Sequence, residues 1–138
     1  MRSWAMVLHF YQPPTQEIGI TQEILNVCYQ PLVDLLLGSP RVKLTLNLTG
    51  SLLLQLEKTG SGQFFEGINK LLDNNQIELL NSPVNHPLLP LVDSHVLRRQ
   101  FEINKYLLKR LFPKALVSGA FLPELAEDKR VLEEIEKI

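Results

Sequence analysis

Short apolar runs alternate along this chain with segments whose apolar residues recur at helical spacing, and that alternation constrains the fold more than any other feature. The runs Trp4 to Phe10, Val42 to Leu48, Ile77 to Leu80 and Ala115 to Phe121 read as strands. Between them lie helical patterns at Ile20 to Leu37, Leu52 to Lys58, Gln63 to Asp73 and Asp93 to Phe112, and a last one runs from Glu124 to Lys137. Such alternation argues a parallel sheet with helices outside it. The strands are apolar nearly throughout, as expected where both faces of a parallel sheet are covered. The expected class is therefore α/β. No repeat, low-complexity stretch or shift in composition marks a linker, so one domain over residues 1–138 is expected.

The punctuation fits this frame. Tyr11-Gln12-Pro13-Pro14 takes the first strand out of the sheet, because proline cannot donate to a ladder. Pro31 kinks or divides the first helical pattern. Asp93 and Ser94 are candidate caps of the longest helix. The last residues, Glu136-Lys137-Ile138, fall inside a helical pattern where the alternation predicts a further strand. Four parallel strands suit either an open sheet or the first half of a barrel.

Charge and composition exclude some functions. The formal net charge is -1, so no basic excess exists to hold a phosphate backbone and nucleic acid is not an expected partner. No apolar stretch nears the roughly 18 residues of a membrane span, and no membrane partner is expected. The start, Met1 to Leu8, is superficially leader-like, but Gln12-Pro13-Pro14 follows where a small-residue cleavage site belongs. A cytoplasmic protein is expected. The single cysteine, Cys28, excludes an internal disulfide and reads as a buried structural thiol. Asn47-Leu48-Thr49 matches the glycosylation pattern by chance on this reading.

Polar groups gather where the expected strands end. His9 closes the first, with Tyr11 and Gln12 beyond it. Asn47 closes the second. Glu78 lies within the third and His86 in the loop after it, while Glu124 follows the fourth. Sites of α/β sheets and barrels are built on this rim. Each residue also has a plain structural reading. His9 suits a core histidine bonded to a carbonyl, Glu78 a solvated edge, His86-Pro87 an ordered loop, and Glu124 a helix N-terminus favoured by the dipole. His95 reads as a surface residue. A carboxylate buried in a strand would need a partner. Phosphate-cradling glycine motifs and the nucleophile-elbow pattern are absent. A zinc site would need His9, His86 and a carboxylate to converge from separate loops. No metal or cofactor is expected.

Four segments, in order, resemble glycoside hydrolase family 57. His9-Phe10-Tyr11-Gln12-Pro13 is similar to its H-x-H-Q-P motif, and Leu46-Asn47-Leu48-Thr49-Gly50-Ser51-Leu52-Leu53 to an L-N-x-S-G-S-L-L segment. Asn85-His86-Pro87-Leu88-Leu89-Pro90-Leu91 is similar to its H-P-I-L-P-L motif, and Gly119-Ala120-Phe121-Leu122-Pro123-Glu124 to its G-x-W-x-P-E motif. Two positions depart from the pattern: Tyr11 stands for the second histidine of the first motif, and Phe121 for the tryptophan of the last. Tyr11 still donates a hydrogen bond and Phe121 still stacks on a sugar.

The resemblance implies an incomplete (β/α)7 barrel, of which residues 1–138 are the N-terminal part, truncated on the C-terminal side. It implies a retaining enzyme acting on α-glucans, of the amylase or glucanotransferase type. By the same resemblance Glu124 is the nucleophile, His9 and His86 line the sugar pocket with Tyr11, Gln12 and Phe121, and Glu78 lies near the reacting sugar. The family's acid/base is an aspartate on a later strand, past Ile138, so the 138 residues alone are expected to be inactive. Two rivals remain open: a non-catalytic carbohydrate-binding remnant, and a metal-dependent deacetylase-like barrel.

Overall fold

A computed structural model describes residues 4–117 and 119–138. Met1-Arg2-Ser3 of the leader-like start and Ser118 of the expected fourth strand lie outside the described residues. Four parallel strands form one sheet in the order β1-β2-β3-β4. They are β1 (Val7–Phe10), β2 (Leu44–Leu48), β3 (Ile77–Asn81) and β4 (Gly119–Ala120). The connections hold α1 (Ile18–Ile24), α2 (Gln30–Leu37), α3 (Gly50–Lys58), α4 (Gly62–Asp73) and α5 (Ser94–Leu111), and α6 (Lys129–Ile135) follows β4. β1, β2 and β4 are shorter than their apolar runs, while β3 extends one residue past its run, to Asn81.

The register sorts the strand residues onto two faces. Val7 pairs with Thr45 and Thr45 with Glu78; one row on, His9 pairs with Asn47, Asn47 with Leu80 and Leu80 with Gly119. Side chains alternate along a strand, so the intervening Phe10, Leu46, Leu48 and Leu79 point the other way, into the main core with helix residues such as Val33, Leu53, Phe64 and Leu108. Helices thus cover one face. The face with Val7, His9 and Glu78 leaves all three exposed, where the sequence reading expected both faces to be covered.

The first helical pattern differs most from expectation. Between α1 and α2, Leu25–Tyr29 forms a π-helical turn, and the Gln30 N–H donates to the Leu25 carbonyl five residues back. Pro31 explains the turn: it has no N–H, and its ring clashes with the carbonyl of residue 27 in a regular helix. The extra residue rotates the buried face onto Thr21, Leu25, Tyr29, Val33 and Leu36. Val27 and Leu35, expected inside, are 71% and 64% exposed. The same rotation exposes Cys28, which corrects its reading as a buried thiol.

The other helices follow their patterns. Asp93 caps α5, its Oδ1 accepting from the Val96 N–H at 2.9 Å. The expected last helix starts late: Pro123–Leu125 is a 3₁₀ turn, and α6 is capped by Asp128, whose Oδ1 accepts from the Val131 N–H at 2.7 Å. Glu124 is therefore not the carboxylate of a helix N-terminus.

Candidate active site

The sheet delivers four of the motif side chains to one place. From the end of β1, the His9 ring stacks on Phe121 at a centroid distance of 4.5 Å and on His86 at 4.8 Å. Tyr11 stacks on His86 at 4.4 Å and lies 5.9 Å from His9. Phe121 is placed by its N–H, which donates to the Asn81 carbonyl at 2.8 Å, next to the Asn81–Ala120 pairing of β3 with β4. The result is an aromatic cluster with ring edges and faces available to a flat apolar surface, such as one side of a pyranose.

Glu124 faces this cluster. Its Oε1 lies 3.5 Å from Nε2 of His86, and its side chain is 76% exposed against 7% for His86. Both residues hold left-handed backbone, each with φ 55, and Leu125 beside Glu124 has φ 54. For a side chain other than glycine this conformation costs on the order of 1–2 kcal/mol, and such residues cluster at functional sites. Burial holds His86 below the ordinary imidazole pKa; the neighbouring His9 lowers it further, while Glu124 pulls the other way without prevailing. His86 Nδ1 is buried with no hydrogen-bond partner.

A layer of buried polar groups fixes the loop that carries Tyr11. Tyr29, from the π turn, donates its hydroxyl to the Tyr11 carbonyl at 3.2 Å and accepts from Gln12 Nε2 at 3.0 Å. Burial pushes the Tyr29 phenol up, so it remains a donor. Ser51 donates to the Gln12 carbonyl at 2.8 Å, and Gln55 donates to the Pro13 carbonyl at 2.8 Å. Thr21 in turn donates to Gln55 at 2.5 Å. The prolines leave these carbonyls outside the ladder, and the π turn and α3 supply the donors.

Two expected site residues are not brought into the cluster. Gln12 spends its amide on Tyr29, and no hydrogen bond joins it to His9, His86 or Glu124 among the described residues. Glu78 is on the same face as His9 but one row nearer the N-terminal ends, about 6–7 Å along the strand. There its Oε1 accepts from Thr45 Oγ1 at 2.6 Å, and it is exposed, so the partner it needed is a hydroxyl and water. Placing it on the strand-end rim is thereby corrected. Asn47, which the sequence reading set on the rim without giving it a role, is fully buried, and its Oδ1 lies 2.7 Å from His9 Nδ1. Its burial also leaves the glycosylation pattern inaccessible. His95 is exposed, as expected. Among the described residues no three His, Cys, Asp or Glu side chains are arranged to hold a metal ion, and no helix is long and apolar enough to cross a membrane.

A parallel α/β unit with its carboxylate, imidazoles and aromatic rings at the C-terminal strand ends belongs to the class of folds that build their sites on that rim. The model of glycosyl hydrolase family 57 matches residues 4–138, and the chain belongs to that family. It is 25% identical over 105 residues to alpha-amylase 1 of Dictyoglomus thermophilum, which covers 75% of this chain and 15% of that protein. The crystal structure of 4-alpha-glucanotransferase from Thermococcus litoralis superposes with a TM-score of 0.89 over 96% of this chain and 21% of that one, at 20% identity. The matched part of the chain thus spans less than a quarter of either protein. The likeness bears on the fold: four parallel strands with outer helices, the arrangement of the N-terminal portion of an incomplete (β/α)7 barrel.

Proposed function

We propose that this chain is part of the catalytic barrel of a retaining glycoside hydrolase or transglycosylase acting on α-glucans such as starch, glycogen or maltooligosaccharides. The observation that carries the reading is Glu124: a solvent-facing carboxylate in strained backbone after the last strand, 3.5 Å from the imidazole of His86. Its carboxylate attacks the anomeric carbon, the bond to the leaving oxygen breaks, and a glycosyl ester forms on Glu124. Water or a sugar hydroxyl then takes the glycosyl group and restores the carboxylate. The rings of His9, Tyr11, His86 and Phe121 hold the sugar. Glu78 lines the same face one row deeper, and Gln12 acts by holding the Tyr11 loop.

A retaining mechanism also needs an acid/base carboxyl about 5–5.5 Å from the nucleophile. Among the described residues the contact with Glu124 is made by His86, while Glu78 bonds Thr45 and Asp128 caps α6. From the resemblance to glycoside hydrolase family 57 we assign the acid/base to an aspartate outside these 138 residues, and expect the 138 residues alone to be inactive. The exposed thiol of Cys28 suits a reducing compartment, in keeping with a cytoplasmic enzyme. The test is Glu124→Gln in the complete enzyme, assayed on maltooligosaccharides. Turnover is expected to vanish while the thermal unfolding midpoint stays put. Undiminished turnover would remove Glu124 from the mechanism.

A further inference from the structure

We infer that Asn47 is a positioning residue that fixes the tautomer of His9, so that His9 presents Nε2 as a hydrogen-bond acceptor to a sugar hydroxyl. The inference rests, for its functional consequence, on the glucan reading above. Its structural basis is independent of it. Asn47 is on β2, between His9 on β1 and Leu80 on β3 in the same row of the sheet. Its Nδ2 donates to the Leu80 carbonyl at 3.3 Å. A carbonyl only accepts, so this bond decides which end of the amide is which, and it turns Oδ1 toward His9. Oδ1 also only accepts, and it lies 2.7 Å from Nδ1 of His9. Nδ1 must then carry a proton. In the neutral ring, the other nitrogen must carry the lone pair.

The neutral histidine side chain in water favours the opposite form, with the proton on Nε2. Asn47 thus selects the form that solvent does not, and it does so from a fully buried position. His9 itself is exposed, and no protein hydrogen bond reaches its Nε2 among the described residues. The nitrogen left open is a lone pair set beside an aromatic cluster, where a ligand rich in hydroxyl donors finds an acceptor. A histidine presenting Nε2–H would instead donate, and could bond a ring or glycosidic oxygen as well as a hydroxyl, whereas the lone pair takes hydroxyls alone. The choice made by Asn47 is therefore a choice of which sugar atoms His9 can contact.

Histidine-selective ¹⁵N NMR tests this directly, since His9 is one of three histidines and the His9→Gln variant identifies its signals. The spectrum is read well above the ordinary imidazole pKa of about 6.5. His9 is expected to show a protonated Nδ1 and an unprotonated Nε2. Asn47→Leu, which removes the acceptor, is expected to move the proton to Nε2, and Asn47→Asp, which keeps an acceptor, to restore the wild-type pattern. A wild-type His9 protonated on Nε2, or a pattern unmoved in Asn47→Leu, overturns the inference. The wild-type spectrum decides even where the leucine variant fails to fold. Maltotetraose is then titrated into the complete wild-type enzyme, where the His9→Gln variant again identifies the signal. A shift at His9 Nε2 supports the acceptor role. With the tautomer as stated but no response to the sugar, the tautomer assignment to Asn47 stands and the glucan reading fails.

Discussion

His86 is the residue in which the site's physical tensions meet. Its ring is packed against both His9 and Tyr11, its backbone is left-handed, and its Nδ1 is buried without a partner. Burial lowers the pKa of His86, the neighbouring His9 lowers it further, and together they outweigh Glu124, which raises it. The consequence for stability has a definite sign. In the unfolded chain His86 takes up a proton near pH 6.5, while in the fold it stays neutral to lower pH. Below that value the unfolded state binds more protons, so stability falls with pH. The loss begins below about pH 6.5 and levels off once the folded His86 itself protonates. Thermal midpoints of wild type and His86→Gln between neutral and mildly acid pH check this. The slope of the wild type is expected to exceed that of the variant, and parallel curves would remove His86 as its source. What sequence could show of this residue was limited. The H-P pattern located His86 and the family resemblance set it in one pocket with His9, but left-handed backbone and ring stacking come from the loop's closure, which has no periodic signature. Gln12 shows the converse, since its motif position invited a role in the pocket and only the folded position of Tyr29 reveals where its amide goes.

At the scale of elements, periodicity made the strands and most helices legible, and it failed where a local defect changed the period. The π turn at Leu25–Tyr29 shifts α2 relative to α1, which no fixed helical spacing anticipates. That shift brings Val33 against Gly67 of α4, where a Cβ on Gly67 would run into Val33 Cγ1. Glycine inside a helix is ordinarily a weakness of roughly 0.5–1 kcal/mol relative to alanine. Here it permits close approach of two helices. Gly67→Ala is accordingly expected to destabilise the chain by about 1–3 kcal/mol, the range for overpacking a filled core. Denaturant unfolding measures this, and pairing it with Val33→Ala should recover part of the loss, because the two side chains compete for one volume. A Gly67→Ala variant more stable than wild type would show that α2 and α4 are not in close contact.

Across the whole molecule, the two motif loops are held by a core of their own. The main core joins the sheet to α1 through α5 and includes Leu108 of α5 and Phe112 just beyond it. A second cluster, Leu89, Leu97, Phe101 and Val131 with Leu122 and Ile135 against it, lies between α5 and α6. Leu89 is three residues after His86 and Leu122 two before Glu124, so this cluster couples the segments that carry the imidazole and the carboxylate. Arg130 of α6 strengthens the link, donating to the Leu89 carbonyl at 3.1 Å, the Pro90 carbonyl at 3.4 Å and Ser94 Oγ at 3.4 Å. Glu134 of α6 pairs with Arg98 of α5 and with Lys137, and those bonds hold its carboxyl below the usual carboxylate range. A small core clamped by few polar bonds is expected to open before the large one does. Arg130→Gln should therefore speed amide hydrogen exchange in α6 and in residues 86–91, while β2, α3 and α4 keep their protection. If all of these elements lose protection together, the two cores unfold as one unit. If none changes, the guanidinium does not hold the loops together, and the pairing of His86 with Glu124 depends on apolar packing alone.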